Sequence, residues 1–342
     1  MGVARWSALV ATAVLSTTGL ADAAPIYTLT APGITSLTLA AGTYDIVAAG
    51  AGGGSAFGKS GGLGAIVSDQ LIFTGAEMLT LMVGGRGVDG APIMASTGAG
   101  FSAGGGGGGS FVIGPASTPL MIAGGGGGAG IGGARYTGIG HDGGAIESVG
   151  GAGGFQGAQN RFYGGSGGGG LYFNGNTYAC FYSFESCTTI GGISRNTDTP
   201  DVTGGRSFLN GGSGGTPQPY PQAYGDGSRG GFGGGGASSS YSGGGGGGYG
   251  GGAGGAGFQG GSFLPGADGG FGGSSYDAGA NPKFSLATTA ADGFITITLV
   301  ASAIPAAMPE PGSLGLLGAT ILGLIAARTI PARLFTDRAP QC

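Results

Sequence analysis

Apolar and polar side chains alternate along several short stretches of this chain, and glycine-rich segments separate the stretches. A period of two residues places successive side chains on opposite faces of an extended strand, so each stretch predicts a half-buried β-strand. No credible helix lies between them. The predicted strands are residues 26–30, 34–39, 44–48, 65–73, 78–83, 110–113, 120–123 and 294–300. This pattern predicts an all-β sandwich.

The stretch 98–130 places two of these strands between pure glycine runs. A flexible linker would have no reason to alternate with strands. In a helix each glycine costs about 1 kcal/mol relative to alanine, and a glycine strand buries no side chain. The remaining extended form is a threefold, polyproline-II-like helix, whose outward N–H and C=O groups require neighbouring chains as partners. We therefore expect a bundle of polyglycine-II helices inserted into the sandwich.

Such a bundle needs a template. One hydrogen bond contributes about 0.5 to 1.5 kcal/mol, whereas fixing one residue's backbone costs about 1 to 2 kcal/mol. The interleaved apolar strands are the candidate template. We expect a large side chain within 104–109 to separate neighbouring helices, and a change at Ser239, in a polar segment between runs, to be mild by comparison.

Composition narrows the function classes. The 342 residues include 91 glycines but only 12 basic and 16 acidic side chains, and there is one histidine. This mildly acidic balance provides no basic field for nucleic acid, so we expect no nucleic-acid partner. A single histidine leaves little material for catalytic triads or histidine-based metal sites.

The first 23 residues fit a secretory signal peptide. Arg5 supplies a positive start, residues 6–20 are uncharged and mostly apolar, and 21–23 form a small-x-small cleavage site. A buried first helix is the alternative. We expect signal peptidase to cut between Ala23 and Ala24, and the mature chain to lie outside the cytoplasm.

The C-terminal region combines a Pro309-Glu310-Pro311 motif, an apolar segment at 312–327 and basic residues beginning at Arg328. This arrangement resembles the PEP-CTERM sorting signal, which an exosortase reads. The resemblance implies a bacterial protein exported in an exopolysaccharide-producing cell, with transient membrane insertion and removal of the tail. Two features depart from the usual signal: the basic end is two arginines spaced five apart, Arg328 and Arg333, and about nine further residues follow them. The apolar segment is also marginal for spanning a bilayer, which usually takes about 20 residues. A plain C-terminal membrane anchor is the alternative.

These signals divide the chain into five predicted segments. They are a signal peptide at 1–23, a glycine-rich domain at 24–300, a linker at 301–308, the sorting signal at 309–335 and a tail at 336–342.

The three cysteines can be assigned from this layout. Cys342 lies in the tail that processing would remove, which leaves Cys180 and Cys187 as an even pair. Because the expected compartment is oxidising, a short-loop disulfide between them is the simplest interpretation.

Six segments in one order resemble the glycine-rich domain of the anaplastic lymphoma kinase and leukocyte tyrosine kinase ectodomains, which many bacterial secreted proteins share. They are residues 43–54, 64–85, 104–130, 229–252, 260–264 and 293–300. The resemblance implies a jelly-roll-like β-sandwich with an inserted polyglycine-II bundle. It implies no kinase, since the chain has no H-R-D or D-F-G sequence. It also transfers no ligand-binding residues.

Three short motifs suggest ligands, but each fits a loop better. Residues 53–60 match the phosphate-binding G-x-x-x-x-G-K-S pattern, yet no helix is expected to follow. His141-Asp142 resembles one imperfect copy of a calcium-binding β-helix repeat, which needs several copies to bind. Residues 229–232 read RGGF, a single instance of an RNA-binding repeat, and a turn with a solvated arginine is the preferred interpretation.

The segment 171–187 departs from the glycine-rich pattern because it concentrates aromatic residues. They are Tyr172, Phe173, Tyr178, Phe181, Tyr182 and Phe184. Aromatic side chains are enriched at binding surfaces, but they can equally cover the edge of a glycine bundle. Both alternatives, packing and a partner-binding loop, stay open at this point.

Together these patterns predict an exported, non-catalytic structural or interaction protein of the bacterial cell surface or exopolysaccharide matrix. The alternative is an adhesin that binds a specific glycan or protein through its loops. We expect no catalytic residues, cofactor or metal. A carboxylate-based glycan hydrolase is the enzyme considered, but no adjacent acidic pair marks such a site.

Overall fold

The computed structural model describes residues 26–95, 98–132, 138–144, 164–176, 203–217, 227–257 and 268–302. All of them belong to the first of the two units into which the chain divides, which ends at Ser302. In this part of the chain, two five-stranded antiparallel sheets form a sandwich, and the helices are two single 3-10 turns, Pro115–Ser117 and Phe208–Asn210. The predicted all-β fold is confirmed.

The first sheet has the strand order β1-β12-β3-β4-β11. Its strands are β1 (Tyr27–Leu29), β3 (Gly42–Ala49), β4 (Ala65–Phe73), β11 (Lys283–Leu286) and β12 (Phe294–Ser302). The second sheet has the order β10-β9-β8-β5-β2. Its strands are β2 (Gly33–Leu39), β5 (Glu77–Val83), β8 (Ser110–Ile113), β9 (Pro119–Ala123) and β10 (Tyr276–Asp277). A separate two-stranded ribbon pairs β6 (Pro92–Ala95) with β7 (Gly98–Phe101).

The core between the two sheets follows from the period-two pattern. Every second side chain of β3 and β4 is buried, as the alternation predicts. Ile46 and Ile295 of the first sheet belong to the same apolar cluster as Leu81 and Val112 of the second. Burial of these side chains is the main apolar stabilisation of the sandwich.

The outer face of the second sheet is covered as well. All four residues of β8 are buried, which a strand with one solvated face would not show. Phe111 and Met82 form a second apolar cluster with Leu171 and Tyr249, two residues from the glycine-rich region. The glycine-rich region therefore packs against the sandwich through a few large side chains.

All eight predicted strands are present, with ends shifted by two residues at most. Four strands were missed: β6, β7, β10 and β11. Strand β10 has two residues, too few to show an alternation, and β11 has four, all of them exposed, so its short polar–apolar alternation marks no buried face. Both form because partner strands supply their hydrogen bonds, which the local sequence does not encode.

The glycine run Gly104–Gly109 is fully buried and leads directly into β8. Its amide hydrogen bonds repeat every three residues. The amides of Gly104 and Gly107 donate to Ala129 and Gly126 of one neighbouring segment. The next two amides along the run start equivalent ladders with two further segments: Gly105 and Gly108 donate to Val88 and Gly85, and Gly106 and Gly109 donate to Gly236 and Gly233.

The carbonyl groups of the same run are also used. Gly105 and Gly108 accept from Gly54 and Ala51, and Gly104 and Gly107 accept from Gly244 and Gly247. The run is thus bonded laterally to five segments: 51–54, 85–88, 126–129, 231–236 and 244–247. We call this hydrogen-bonded set the glycine bundle.

Space, not backbone conformation, excludes side chains from the centre of the glycine bundle. No residue of Gly104–Gly109 has a positive φ. A Cβ on Gly106 would instead collide with the carbonyl of Gly245, well inside the 3.0 Å that real Cβ contacts keep. Similar backbone collisions arise at many other glycines of the bundle.

Small side chains are tolerated at some positions, since Ala51 and Ala129 of the bundle are completely buried. Serine is tolerated as well, and this corrects the expectation for Ser239, because that residue of the polar segment is only 3% exposed. Its hydroxyl oxygen accepts from the amides of Tyr241 and Ser242, while the hydroxyl of Ser238 donates to the carbonyl of Ala103. A serine hydroxyl can both donate and accept, so it replaces a backbone partner at the edge of a run.

We expect Gly106→Val to lower the free energy of unfolding by at least about 3 kcal/mol. The inserted side chain must displace Gly245, and it breaks the bonds of Gly106 to Gly236 and Gly231, at about 1 to 3 kcal/mol for each buried group left unpaired. Chemical denaturation of the purified protein measures this loss.

Gly75→Val is the matched control. Gly75 lies in an exposed turn, and no atom is within 4 Å of the position that its Cβ would occupy. We expect Gly75→Val to change the free energy of unfolding by less than about 1 kcal/mol. Equal, small effects of the two valines would contradict a tightly packed glycine bundle.

Candidate functional site

The phosphate-loop match at 53–60 forms a tight turn. Ala56 and Lys59 pair with each other across it, and no helix follows in the described residues. The amide of Gly54, which a phosphate loop would direct at its ligand, donates to the carbonyl of Gly105 inside the glycine bundle. The helix N-terminus that makes such a loop bind phosphate is therefore missing here.

His141 and Asp142 have structural partners. The His141 ring stacks on Phe271, with 4.3 Å between ring centroids and 4° between planes. The Asp142 carboxylate accepts the Leu63 amide at 2.7 Å. Within the described ranges, no group of three or more His, Cys, Asp and Glu side chains could hold a metal ion.

The RGGF segment is part of the glycine bundle. Arg229 is exposed, and its carbonyl accepts the amide of Val88. The amide of Gly231 donates to Gly106. Arg229 is therefore solvated as expected, but the backbone of residues 229–231 pairs within the bundle and does not form the expected turn.

Several predicted residues lie outside the described residues. They are the cleavage residues Ala23 and Ala24, the sorting-motif residues Pro309, Glu310, Pro311 and Arg328, the cysteines Cys180 and Cys187, and the aromatic residues Tyr178, Phe181, Tyr182 and Phe184. Those assignments stay predictions. The described part of the chain contains no helix with the length and apolar character needed to cross a membrane.

Tyr172 and Phe173 are described, and they lie on a turn that is fastened to a second loop. The Gly170 amide donates to the Phe173 carbonyl at 2.9 Å, which closes the turn. The side-chain oxygen of Asn174 accepts both the Ser207 amide and the Asn210 side-chain amide, at 2.9 and 3.0 Å. Hydrogen bonds within the 170–173 turn and between Asn174 and the 207–210 loop therefore fix the two loops relative to each other.

This pair of loops presents apolar side chains to solvent. Phe173 is 65% exposed, Tyr172 41% and Leu209 49%, whereas the adjacent Leu171 is completely buried in the second apolar cluster. We call the exposed side chains of Tyr172, Phe173 and Leu209 the aromatic surface. Leu171 anchors it, so the three side chains are not needed to fill the core beneath.

A buried tyrosine, Tyr249, and a half-buried one, Tyr276, pack against each other near Tyr172. The rings of Tyr249 and Tyr276 are 4.6 Å apart. Burial raises the pKa of the Tyr249 hydroxyl above its ordinary value, and the neighbouring Tyr172 and Tyr276 add to that increase. Tyr249 is therefore neutral at physiological pH, as a buried packing residue should be.

A polar groove of about 330 Å³ crosses the outer face of the first sheet, and sequence reasoning did not identify it. The strand register explains it. Val47, Ser68 and Lys283 are aligned across three strands, and Asp45 is opposite Gln70 in the next row. Side chains directly opposite each other share a face of the sheet, so residues distant in sequence line one groove.

Sequence reasoning also missed an acidic pair, Asp69 and Asp277, which is separated by 208 positions. The sole local signal was Asp69 itself, since it occupies an inward position of β4 between Val67 and Leu71. The pKa of the Asp277 carboxyl is raised to about 6, mainly by burial and also by the charge of Asp69, against the lowering effect of the Gly279 amide.

This pair does not form an open catalytic site. One Asp277 oxygen, Oδ2, is completely buried. Both oxygens of Asp69 already accept backbone amides, from Gln70 and Asn281. A hydrolase of the two-carboxylate type needs both groups to reach the scissile bond, which this arrangement does not allow.

Comparison with models of known protein families gives no match. A search of curated proteins also gives no match. The resemblance to the glycine-rich ectodomain and to the sorting signal therefore stays a prediction.

If the aromatic surface is free, removing Phe173 should cost little stability. We expect Phe173→Ala to change the free energy of unfolding by less than about 1 kcal/mol. Leu171→Ala, two residues earlier in the chain, should lower the free energy of unfolding by about 2 to 5 kcal/mol because it leaves a cavity in the second apolar cluster. Urea titration of both variants provides the comparison, and a large loss for Phe173→Ala would mean that this ring is a packing residue.

Proposed function

We propose that this chain is an exported, non-catalytic structural or interaction protein of the bacterial cell surface or exopolysaccharide matrix. Its glycine segments would be packed polyglycine-II helices. The observation that carries the proposal is the threefold recurrence of lateral hydrogen bonds around Gly104–Gly109. A polyproline-II-type helix has three residues per turn, so each neighbour meets the run again after one turn.

A body built this way suits a structural role. Its interior presents backbone groups and buried serines, with few titratable side chains available for chemistry. The paired carboxylates and the single histidine have structural partners. These features support a non-catalytic protein that needs no cofactor.

The two terminal signals supply the expected cellular address. Signal peptidase and exosortase would be transient partners, and the 312–327 segment would insert into the membrane before the tail is removed. The mature protein would then remain at the cell surface or in the surrounding matrix. A retained tail would make the same protein a membrane-anchored surface component.

Intact-mass measurement of the exported protein tests this processing. We expect a chain that starts at Ala24 and lacks the apolar segment after Pro311. Retention of 312–335 would contradict exosortase processing and favour a simple anchor. Detection of the full chain in the cytoplasm alone would contradict export.

A glycan-binding adhesin is the second candidate, and the aromatic surface favours it. Exposed aromatic rings pack against the apolar faces of sugars, and the atoms that the loop contacts do not use, Nδ2 of Asn174 and Oδ1 of Asn210, could bind sugar hydroxyls. Hydrogen bonds between the two loops hold this surface in place before a ligand arrives, which reduces the cost of binding.

Co-sedimentation with exopolysaccharide purified from the producing cells tests the adhesin. We expect the double variant Tyr172→Ser, Phe173→Ser to bind at least about tenfold more weakly, since hot-spot aromatics contribute 2 kcal/mol or more. Ile72→Ser is the control, because Ile72 is a strongly exposed apolar residue on the first sheet. Equal losses of glycan binding in the double variant and in Ile72→Ser, or no loss in either, would contradict a specific glycan site on the aromatic surface.

A further inference from the structure

Asp69 and Asp277 connect the two sheets at one edge of the sandwich. Asp69 lies on β4 of the first sheet, and Asp277 lies on the edge strand β10 of the second. The Asp69 Oδ2 atom accepts the Asn281 amide at 2.9 Å, and the Asp277 Oδ1 atom accepts the Gly279 amide at 2.7 Å. Both carboxylates thus bind the turn that follows β10.

The two carboxyl groups also approach each other. A Cβ on Gly279 would collide with Oδ2 of Asp69 and would lie 3.0 Å from Oδ1 of Asp277. These two acidic oxygens therefore lie no more than about 5 Å apart. Two like charges this close, in a partly buried site, disfavour ionisation of both groups.

One oxygen of the pair lacks the partner that a charged carboxylate needs. Oδ2 of Asp277 is buried and has no hydrogen-bond partner. A buried, unpaired anionic oxygen is costly, whereas a protonated carboxyl group avoids that charge. The arrangement is thus better suited to one negative charge than to two.

We propose that Asp69 and Asp277 carry one proton between them, and that the resulting single negative charge lets both carboxyl groups hold the turn that follows edge strand β10. Loss of the proton leaves two carboxylates within about 5 Å of each other and a buried, unpartnered anionic oxygen, which loosens this edge of the sandwich. The device is a pH-dependent latch in the fold, and it is independent of whatever the aromatic surface binds.

Other charged groups around the pair do not neutralise it. Asn281 and Lys283 line the groove beside Asp69, and Asp45 of β3 lines its outer side. Among the described residues, no ion pair joins Lys283 to either carboxylate. Strand β9, which pairs with β10, carries no titratable side chain.

The raised pKa of Asp277 gives the direction of the pH effect. Its value increases from 3.8 to about 6 in the folded protein, so the folded state binds more protons than the unfolded state in that range. Stability from this group is therefore greatest below about pH 4 and falls as the pH rises through about 6. The complete shift corresponds to an up to about 100-fold change in the unfolding equilibrium constant, and partial exposure reduces it.

Asp277→Asn mimics the protonated form and tests the latch in the full-length protein. Between pH 4.5 and 7.5, we expect the wild-type unfolding constant to rise by about 10- to 100-fold relative to that of the variant. Asp268 also has a raised pKa, so the difference between the two proteins, and not the wild-type slope, is diagnostic. Asp45→Asn should keep the wild-type slope. Equal slopes for Asp277→Asn and wild type would overturn the proposal.

A second measurement needs no variant and decides the matter if Asp277→Asn fails to fold. Carboxyl ¹³C titration of the wild-type protein should show one of the two aspartates titrating near pH 6. Amide exchange at Gly279 and Asn281, corrected for the intrinsic pH dependence, should accelerate above that pH relative to Thr80 in β5. Titration of both aspartates near pH 4 with constant amide protection would exclude the latch.

Discussion

The lateral hydrogen bond between two backbones without Cβ atoms is the interaction on which the rest of this protein depends. Around Gly104–Gly109, amide and carbonyl groups reach five neighbouring segments, and a side chain at Gly106 would occupy the place of a neighbour's carbonyl. Because a single such bond barely offsets the cost of ordering a residue, the segments need a fixed starting point. The sandwich provides it, since β3, β5 and β9 lead directly into glycine segments and β8 directly follows one.

Because backbone contacts pack the bundle and the sandwich supplies its starting point, this arrangement determines where functional side chains can lie. A body packed through backbone contacts has little room for functional side chains, so the available ones lie at its periphery. The aromatic surface is held by Leu171, which is buried against the second sheet, and by the amide contacts of Asn174. The polar groove lies on the opposite, uncovered sheet, where the register of β3, β4 and β11 brings its lining together. Buried serines such as Ser238 mark the limits of the bundle because their hydroxyls substitute for a backbone partner.

The sequence predicted the parts of this arrangement that depend on local pattern. Strands such as β4 carry their own alternation of apolar and polar residues. The glycine runs, which have no side chains, cannot form an apolar core of their own, so lateral backbone bonding was the expected form of packing there. Strand β11 was missed because it has only four residues, all exposed, and its pairing with β4 comes from a distant part of the chain. The Asp69–Asp277 pair was missed for the same reason, although a carboxylate at an inward position of β4 was a usable signal. Ser239 was misjudged because a serine is polar in sequence but can be satisfied inside a glycine bundle.

Native-state amide hydrogen exchange of Gly104–Gly109 tests the central claim most directly. These amides are buried and donate to three different segments, so they can exchange only when the bundle opens as a unit. We expect protection comparable to that of Ile295 and Ile297 in the sandwich core, where both side chains are completely buried. Exchange at the rate of an unstructured chain, while those core strands stay protected, would show that the glycine run is a solvated loop and would contradict the account.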